Sequence, residues 1–332
     1  MAKDLSDYTE DEAKYIKGSF SPHALELTVL PTEKCNFRCT YCYEDFKIGK
    51  MSARTVAALK ALIDERSMDL QVLRLNWFGG EPLLASDIVL DVASHAHAVC
   101  SDCEIDFFGE ITTNGYLLDL ALLERLTNVG MRDYQISIDG DRTGHNETRI
   151  LGSGAGTYDE IMANLMAAHQ SDLDFHITLR VHITRQNIGS VERAISEMQD
   201  TFGADDRFSF FIKAIENLGG GATVRESVPD KGDARDMRSR MEALLGLNRG
   251  QDTVSICYAS RPNAFVIRAD GTVGKCTVLL NADSNRVGNL NKGGEMQIDI
   301  DRLRRWMTGY DTLDRATLHC PADALNMWSE AN

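Results

Sequence analysis

The sequence contains no block of lysine or arginine. Its 35 basic residues are outnumbered by 50 acidic ones, and the formal net charge is −15. A duplex or tRNA binder normally shows a basic footprint, so nucleic-acid substrates are not expected. No apolar run is expected to span a bilayer. Residues 1–10 are acidic and polar and lack the apolar segment of a signal peptide. The expectation is a cytoplasmic chain without membrane contact. Internal repeats and low-complexity tracts are absent, which argues against a repeat architecture. With no sign of secretion, the eight cysteines read as metal ligands more readily than as a disulfide framework. What remains is ordinary for a globular protein: 332 residues, 43% apolar and 26% charged, enough for one large domain and a small one.

Residues 1–23 read as a short polar and amphipathic lead-in. From Ala24, strand and helix signals alternate. Strands are predicted at 24–30, 72–78, 105–113, 134–138, 175–183 and 208–215, from short apolar runs bounded by turn residues. Helices are predicted at 52–66, 86–99, 119–128, 158–169, 190–201 and 231–247. In the first of these Ser52 caps a stripe of Val56, Leu59 and Ile63. Such alternation argues for an α/β chain with a parallel sheet and helical crossovers. The polar and glycine-rich signals follow the strands, where the active face of a barrel lies. Gly219-Gly220-Gly221 reads as a flexible loop. After about residue 250 the texture changes. Strand signals at 264–268 and 272–276 flank Asp270-Gly271, which predicts a hairpin, and a last helix is expected at 301–307.

The first strand runs into Cys35-Asn36-Phe37-Arg38-Cys39-Thr40-Tyr41-Cys42, a C-x3-C-x2-C triplet. Thiolates this close can share one soft metal centre, and cysteine is the usual ligand of iron–sulfur clusters. A structural zinc site wants four ligands in two close pairs. Three cysteines on a four-iron cluster leave one iron open to a substrate or cofactor. The arrangement resembles the radical S-adenosylmethionine (SAM) enzymes, with Tyr41 where that family usually carries an aromatic residue. The resemblance implies a six-unit partial (β/α) barrel. It also implies a 4Fe-4S cluster on Cys35, Cys39 and Cys42, and S-adenosyl-L-methionine chelated by the open iron. Its chemistry would be reductive cleavage to methionine and a 5′-deoxyadenosyl radical that abstracts hydrogen from substrate. The electron would come from a reductant such as flavodoxin or ferredoxin.

Gly79-Gly80-Glu81-Pro82 follows the second strand. Read alone it is a glycine turn, but glycines let a ligand approach backbone groups and Glu81 can accept from an ammonium group. It is similar to the family's motif for the amino group of S-adenosylmethionine. Ser137-Ile138-Asp139-Gly140 with Arg149 is either a turn and a solvated Arg or a carboxylate site, since a hydroxyl and a guanidinium fork suit that ligand. The pattern resembles that of peptide-modifying and sulfatase-maturing radical enzymes, in which the matching Ser and Arg contact the cofactor. Asn114 is a candidate for its ribose or carboxylate and equally a turn former. His95, His97, His145, His169, His176 and His182 show no ligand spacing and read as structural. Cys100 and Cys103 read as a plain pair, and Phe208, Phe210 and Phe211 as core.

Cys257, Gly271 and Cys276 flank the predicted hairpin, and Cys320-Pro321 follows near the end. This resembles the SPASM and twitch domains that carry auxiliary clusters. The chain departs from a complete SPASM domain, with Thr317 and Asn326 where further cysteines would be expected. The resemblance therefore implies one auxiliary 4Fe-4S cluster on Cys257, Cys276 and Cys320. Its fourth ligand is left open between His319, a distant cysteine, solvent and the substrate; a zinc site or no metal is the alternative. The expected domains are a lead-in at 1–23, a barrel at 24–249 and an auxiliary domain at 250–332. The implied function is a peptide maturase that crosslinks a ribosomally made precursor peptide through a thioether or carbon–carbon bond. Formylglycine formation and epimerisation are its rivals, and a non-catalytic iron–sulfur or zinc protein is the reading from another class. The short lead-in leaves no room for a leader-binding module, so leader recognition is expected elsewhere or on a separate leader-peptide-binding protein. No further catalytic residue can be named from the sequence.

Overall fold

In a computed structural model that describes residues 4–216, 228–247 and 254–327, six strands lie side by side in chain order. They are β1 (Ala24–Val29), β2 (Val72–Trp77), β3 (Asp106–Thr113), β4 (Met131–Ile138), β5 (His176–Ile183) and β6 (Phe208–Ala214), and each neighbouring pair is parallel. Alternation explains their two faces. On β5, Ile177, Leu179, Val181 and Ile183 are buried in the core with the outer helices. His176, Thr178, Arg180 and His182 take the opposite, inner face. Each fully buried Leu or Ile contributes about 1.5–3 kcal/mol relative to exposure, so a register slip would be costly on every strand.

The crossovers are helical, as the periodicity predicts. Helix α1 (Glu10–Gly18) precedes the sheet, and α2 (Ala53–Arg66), α3 (Ser86–Asp102) and α4 (Leu120–Thr127) follow the first three strands. Then come α5 (Arg142–Thr148), α6 (Tyr158–His169), α7 (Ile188–Phe202) and α8 (Lys231–Leu244). Ser52, Asp119 and Asp141 cap α2, α4 and α5 through their side-chain oxygens. Segment Pro82–Asp102, which contains α3, corrects the expectation that no stretch could span a bilayer: by length and composition it is apolar enough. Its Ile88, Val89, Val92, Ala93 and Ala96 instead pack in the core. Helix α5 has no counterpart in the predicted elements; at seven residues it is too short to show a period.

The hairpin forms as β7 (Ala264–Ile267) and β8 (Thr272–Gly274), with Asp270 accepting from the Thr272 N–H at 2.9 Å. Two more antiparallel strands follow, β9 (Gly288–Leu290) and β10 (Met296–Ile298). β7 also pairs in parallel with β1, so all ten strands form one sheet in the order β10-β9-β8-β7-β1-β2-β3-β4-β5-β6. The C-terminal strands thus cover the edge of β1 that the barrel leaves open. Helix α9 (Ile300–Thr312) is longer than expected, and α10 (Arg315–His319) and α11 (Pro321–Ala324) are short.

The lead-in is tied to this far end. Tyr8 donates to the Leu313 carbonyl at 2.5 Å, Arg315 pairs with Glu12 at 2.8 Å, and Ser19 and Tyr310 share a hydrogen bond of 2.6 Å. Tyr8, Ile16, Val254, Ile256 and Leu318 form a separate small core there. Gly219-Gly220-Gly221 and the 249/250 boundary lie outside the described residues.

Candidate active site

The cysteine loop leaves β1 and is clamped from two sides. Below it, the turn after β2 comes very close. Gly79 has φ +114°, and a Cβ there would sit 2.5 Å from the Thr32 carbonyl oxygen; at Gly80 a Cβ would strike the Lys34 carbonyl. Only glycines permit this approach, and the Glu81 N–H then donates to Lys34 O at 2.9 Å. On the other side, Arg38 N donates to Ile150 O at 2.7 Å and Thr40 N to Thr148 O at 3.0 Å. Helix α5 and the residues after it therefore set the loop's second edge.

All three thiols of the loop are half-buried. Burial pushes Cys35 up to about 12 and Cys42 up to about 11, and it raises Cys39 against the opposing charge of Arg149. The three also raise one another, because each is within electrostatic reach of the next. Neutral thiols become good ligands only when a cation replaces their protons.

Around the loop lies a buried polar network. Tyr41 donates to Asp139 Oδ2 at 2.6 Å and accepts from Arg149 Nη1 at 2.7 Å. Asp139 also accepts from Thr148 Oγ1 at 2.8 Å and from His182 Nδ1 at 3.0 Å. Burial would raise the Asp139 carboxyl, but Arg149 and His182 hold it below the usual carboxylate range. Burial pushes His182 down to about 4. His145 is fully buried, with Nδ1 accepting from the Asp139 N–H and Nε2 bonded to Thr157 Oγ1 at 3.0 Å. A cavity of about 320 Å³ opens beside Tyr41, lined in part by Thr40, Thr148, Thr184 and Asn187.

Glu81 is fully buried and faces inward. Its Oε1 accepts from Leu83 N at 3.0 Å and Thr113 Oγ1 at 2.7 Å, and its Oε2 from Asn114 N at 2.8 Å. It cross-links the ends of β2 and β3, and of its four acceptor positions one is left. The Asn114 side chain donates to Asn36 at 2.8 Å and accepts from the Tyr116 N–H at 3.0 Å. Ser137 faces inward on β4, in register with Arg180. Arg149 is 7% exposed, and its buried Nε has no hydrogen-bond partner. Neither Asp139 nor His182 is marked as an actor by the sequence: Asp139 sits inside the Ser137-Ile138-Asp139-Gly140 motif, and His182 carries no signal beyond strand alternation.

The C-terminal cysteines also come together. The Cys257 N–H donates to Leu318 O at 2.9 Å, which pulls the segment before Cys320 against the hairpin. Burial pushes Cys276 up to about 11 and raises Cys257 and Cys320, and the charges of Cys257 and Cys320 reinforce the rise of Cys276. Lys275 beside them is fully buried, donating to the Arg261 and Ala264 carbonyls at 2.5 Å each. Tyr43 links the two cysteine sets: one residue from Cys42, it donates to Thr277 O at 3.2 Å, one residue from Cys276. His319 is exposed on α10. Cys100 and Cys103 remain at the end of α3, apart from both sets.

The sequence pattern of the Radical SAM superfamily matches residues 29–198. The chain belongs to the radical SAM superfamily. It is 27% identical over 286 residues to a GTP 3′,8-cyclase of Microcystis aeruginosa, covering 77% of this chain and 81% of the relative. It is 26% identical over 168 residues to a PqqA peptide cyclase of Granulibacter bethesdensis, covering 51% of this chain. The match spans 42% of that cyclase, less than half its length. In fold it resembles anSMEcpe with bound AdoMet and the Cp18Cys peptide, with a TM-score of 0.63, 17% identity, and 87% and 82% of the two chains covered. It also resembles Streptococcus suis SuiB bound to the precursor peptide SuiA, with a TM-score of 0.60, 16% identity, and 87% and 67% covered. The α/β fold, a partial barrel with C-terminal antiparallel strands, is shared with both.

A radical SAM enzyme uses a 4Fe-4S cluster and S-adenosylmethionine, and the residues present fit both. Among the described residues no three His, Cys, Asp or Glu side chains converge on a lone-ion position. Three half-buried thiols on one loop, within electrostatic reach of one another, are the soft ligands an iron–sulfur cluster takes. The partnerless Nε of Arg149 is a donor waiting for an acceptor of the kind a carboxylate supplies.

Proposed function

We propose that this radical SAM enzyme matures a ribosomally made precursor peptide, joining two residues by a thioether or carbon–carbon crosslink. The reading rests on one observation above all: Tyr43, beside Cys42, hydrogen-bonds to Thr277, beside Cys276, and so ties the cysteine loop to the C-terminal cysteine set. The peptide-bound neighbours of similar fold support it.

In this reading Cys35, Cys39 and Cys42 hold the first cluster, and Cys257, Cys276 and Cys320 hold one auxiliary cluster. When bound, the first cluster and S-adenosylmethionine supply one-electron chemistry that ends in hydrogen abstraction from the substrate. The protein binds and orients. Ser137 and the free Nε of Arg149 take the cofactor's carboxylate. The Gly79-Gly80 backbone and the last acceptor position of Glu81 take its amino group. Tyr41, held by Asp139 and Arg149, keeps the wall of the site rigid. Tyr43 and the auxiliary set form the substrate side. A separate leader-binding protein and a flavodoxin or ferredoxin reductant complete the system.

A second reading is favoured by the match to 81% of the GTP 3′,8-cyclase: a nucleotide substrate at the same mouth. Mass spectrometry of a candidate precursor peptide, coexpressed with the enzyme, separates these. Loss of two hydrogens supports the crosslink. An unchanged mass with altered chirality means epimerisation, and a formylglycine mass means that rival. GTP consumed by the reconstituted enzyme, with every peptide untouched, overturns the peptide reading.

A further inference from the structure

Two guanidinium groups at the barrel mouth each carry a buried Nε without a hydrogen-bond partner, those of Arg149 and Arg180. Arg180 lies on the inner face of β5, in register with Ser137 on β4 and Phe211 on β6. Its Cζ is 6.0 Å from the centre of the Phe211 ring. Among the described residues it makes no ion pair. The ionisable groups within its electrostatic reach are the phenols of Tyr43 and Tyr41, Arg149 and Glu216. Glu216 is already paired with Lys213 at 2.6 Å. Burial pushes the Arg180 guanidinium below its ordinary value. Arg180 as a whole is half-buried; a partly desolvated cation with no counter-ion carries a cost that a ligand's anion relieves.

The cofactor offers one carboxylate, and in the reading above Ser137 and Arg149 take it. Arg180 is then left over. It faces the same mouth, and Tyr43 beside it leads to the second cysteine set. We propose that Arg180 binds a carboxylate of the substrate, an Asp or Glu side chain of the peptide, and so positions the neighbouring residue for modification. This rests on the peptide reading of the site. A planar fork suits a carboxylate bidentately, and a point-charge lysine replaces it only in part.

The test uses anaerobically reconstituted enzyme with intact iron content, as wild type, Arg180→Gln and Arg180→Lys. The probes are two pools of short peptides, one carrying Asp and Glu and the other Asn and Gln at the same positions, and GTP. Retention is read by equilibrium dialysis with mass spectrometry, and S-adenosylmethionine affinity by calorimetry. Wild type is expected to retain the acidic pool about tenfold better, the worth of one charge-assisted contact. Arg180→Gln should lose that preference, Arg180→Lys should keep part of it, and both should bind S-adenosylmethionine as wild type does. Weakened S-adenosylmethionine binding with the peptide preference intact makes Arg180 a cofactor residue and overturns the proposal. Equal retention of both pools by wild type removes the carboxylate but leaves the peptide reading standing. Retention of GTP alone, lost in Arg180→Gln, overturns the peptide reading and the proposal together.

Discussion

Arg268 grips Glu33 with both arms of its fork, Nε to Oε1 at 2.9 Å and Nη2 to Oε2 at 2.6 Å, and both residues are buried. Arg268 immediately follows β7, and Glu33 lies two residues before Cys35. The pair therefore welds the C-terminal strands to the base of the cysteine loop.

Breaking such a pair from one side leaves a buried charge without its partner. Arg268→Met is expected to cost about 3–5 kcal/mol of stability. It should also lower iron uptake at the loop, although no cysteine is altered. Adding Glu33→Gln should recover part of the loss. Denaturant unfolding and iron analysis check both; unchanged iron content in a folded Arg268→Met protein would mean the weld is not needed by the loop.

Arg149→Ala is expected to keep the iron–sulfur absorbance and weaken S-adenosylmethionine binding by about 1.5–3 kcal/mol, roughly ten- to hundredfold. Glu81→Ala should behave differently. It strands the Leu83 and Asn114 N–H groups and the Thr113 hydroxyl, so thermal stability should fall before any effect on affinity is read. Calorimetric titration beside a melting curve separates the two. Wild-type affinity in Arg149→Ala would return that residue to a structural role.

The cysteine sets should separate by function. Cys35→Ala, Cys39→Ala or Cys42→Ala should each abolish 5′-deoxyadenosine formation. The triple variant Cys257→Ala, Cys276→Ala, Cys320→Ala should lose about four irons per chain, still cleave S-adenosylmethionine, and yield little modified peptide. Unchanged iron in the triple variant would remove the auxiliary cluster. Undiminished peptide product would reduce it to a structural part.

His145 makes the fold sensitive to acid. Burial holds its pKa down at about 4, against 6.5 for the free side chain. Between these values the unfolded chain binds the extra proton, so stability falls as pH drops from about 6.5 to about 4. The loss is on the order of 3 kcal/mol. His145→Gln should flatten that part of the curve of unfolding free energy against pH, at some cost in stability at neutral pH. An unchanged slope in the variant would exclude His145 as the sensor.

The six barrel strands, the cysteine triplet and the hairpin turn were legible because each is written in consecutive residues. Alternation on β5 separates Leu179 from Arg180, spacing places three thiols in one loop, and Asp270-Gly271 turns the chain on itself. Helix α5 was not legible, since seven residues show no period, yet it edges the loop and delivers Arg149 to Tyr41.

By itself, then, the sequence determined which face each residue takes and which local chemistry it carries. Only the tertiary structure decided which faces meet. Strand alternation does not name a strand's neighbour, so nothing local placed β7 against β1, Arg268 against Glu33 or Tyr43 between the two cysteine sets. Nor did the motif at Glu81 say that its carboxylate would turn inward to Thr113 and Asn114. That outcome follows from burial, which requires a sealed carboxylate to find donors inside the protein.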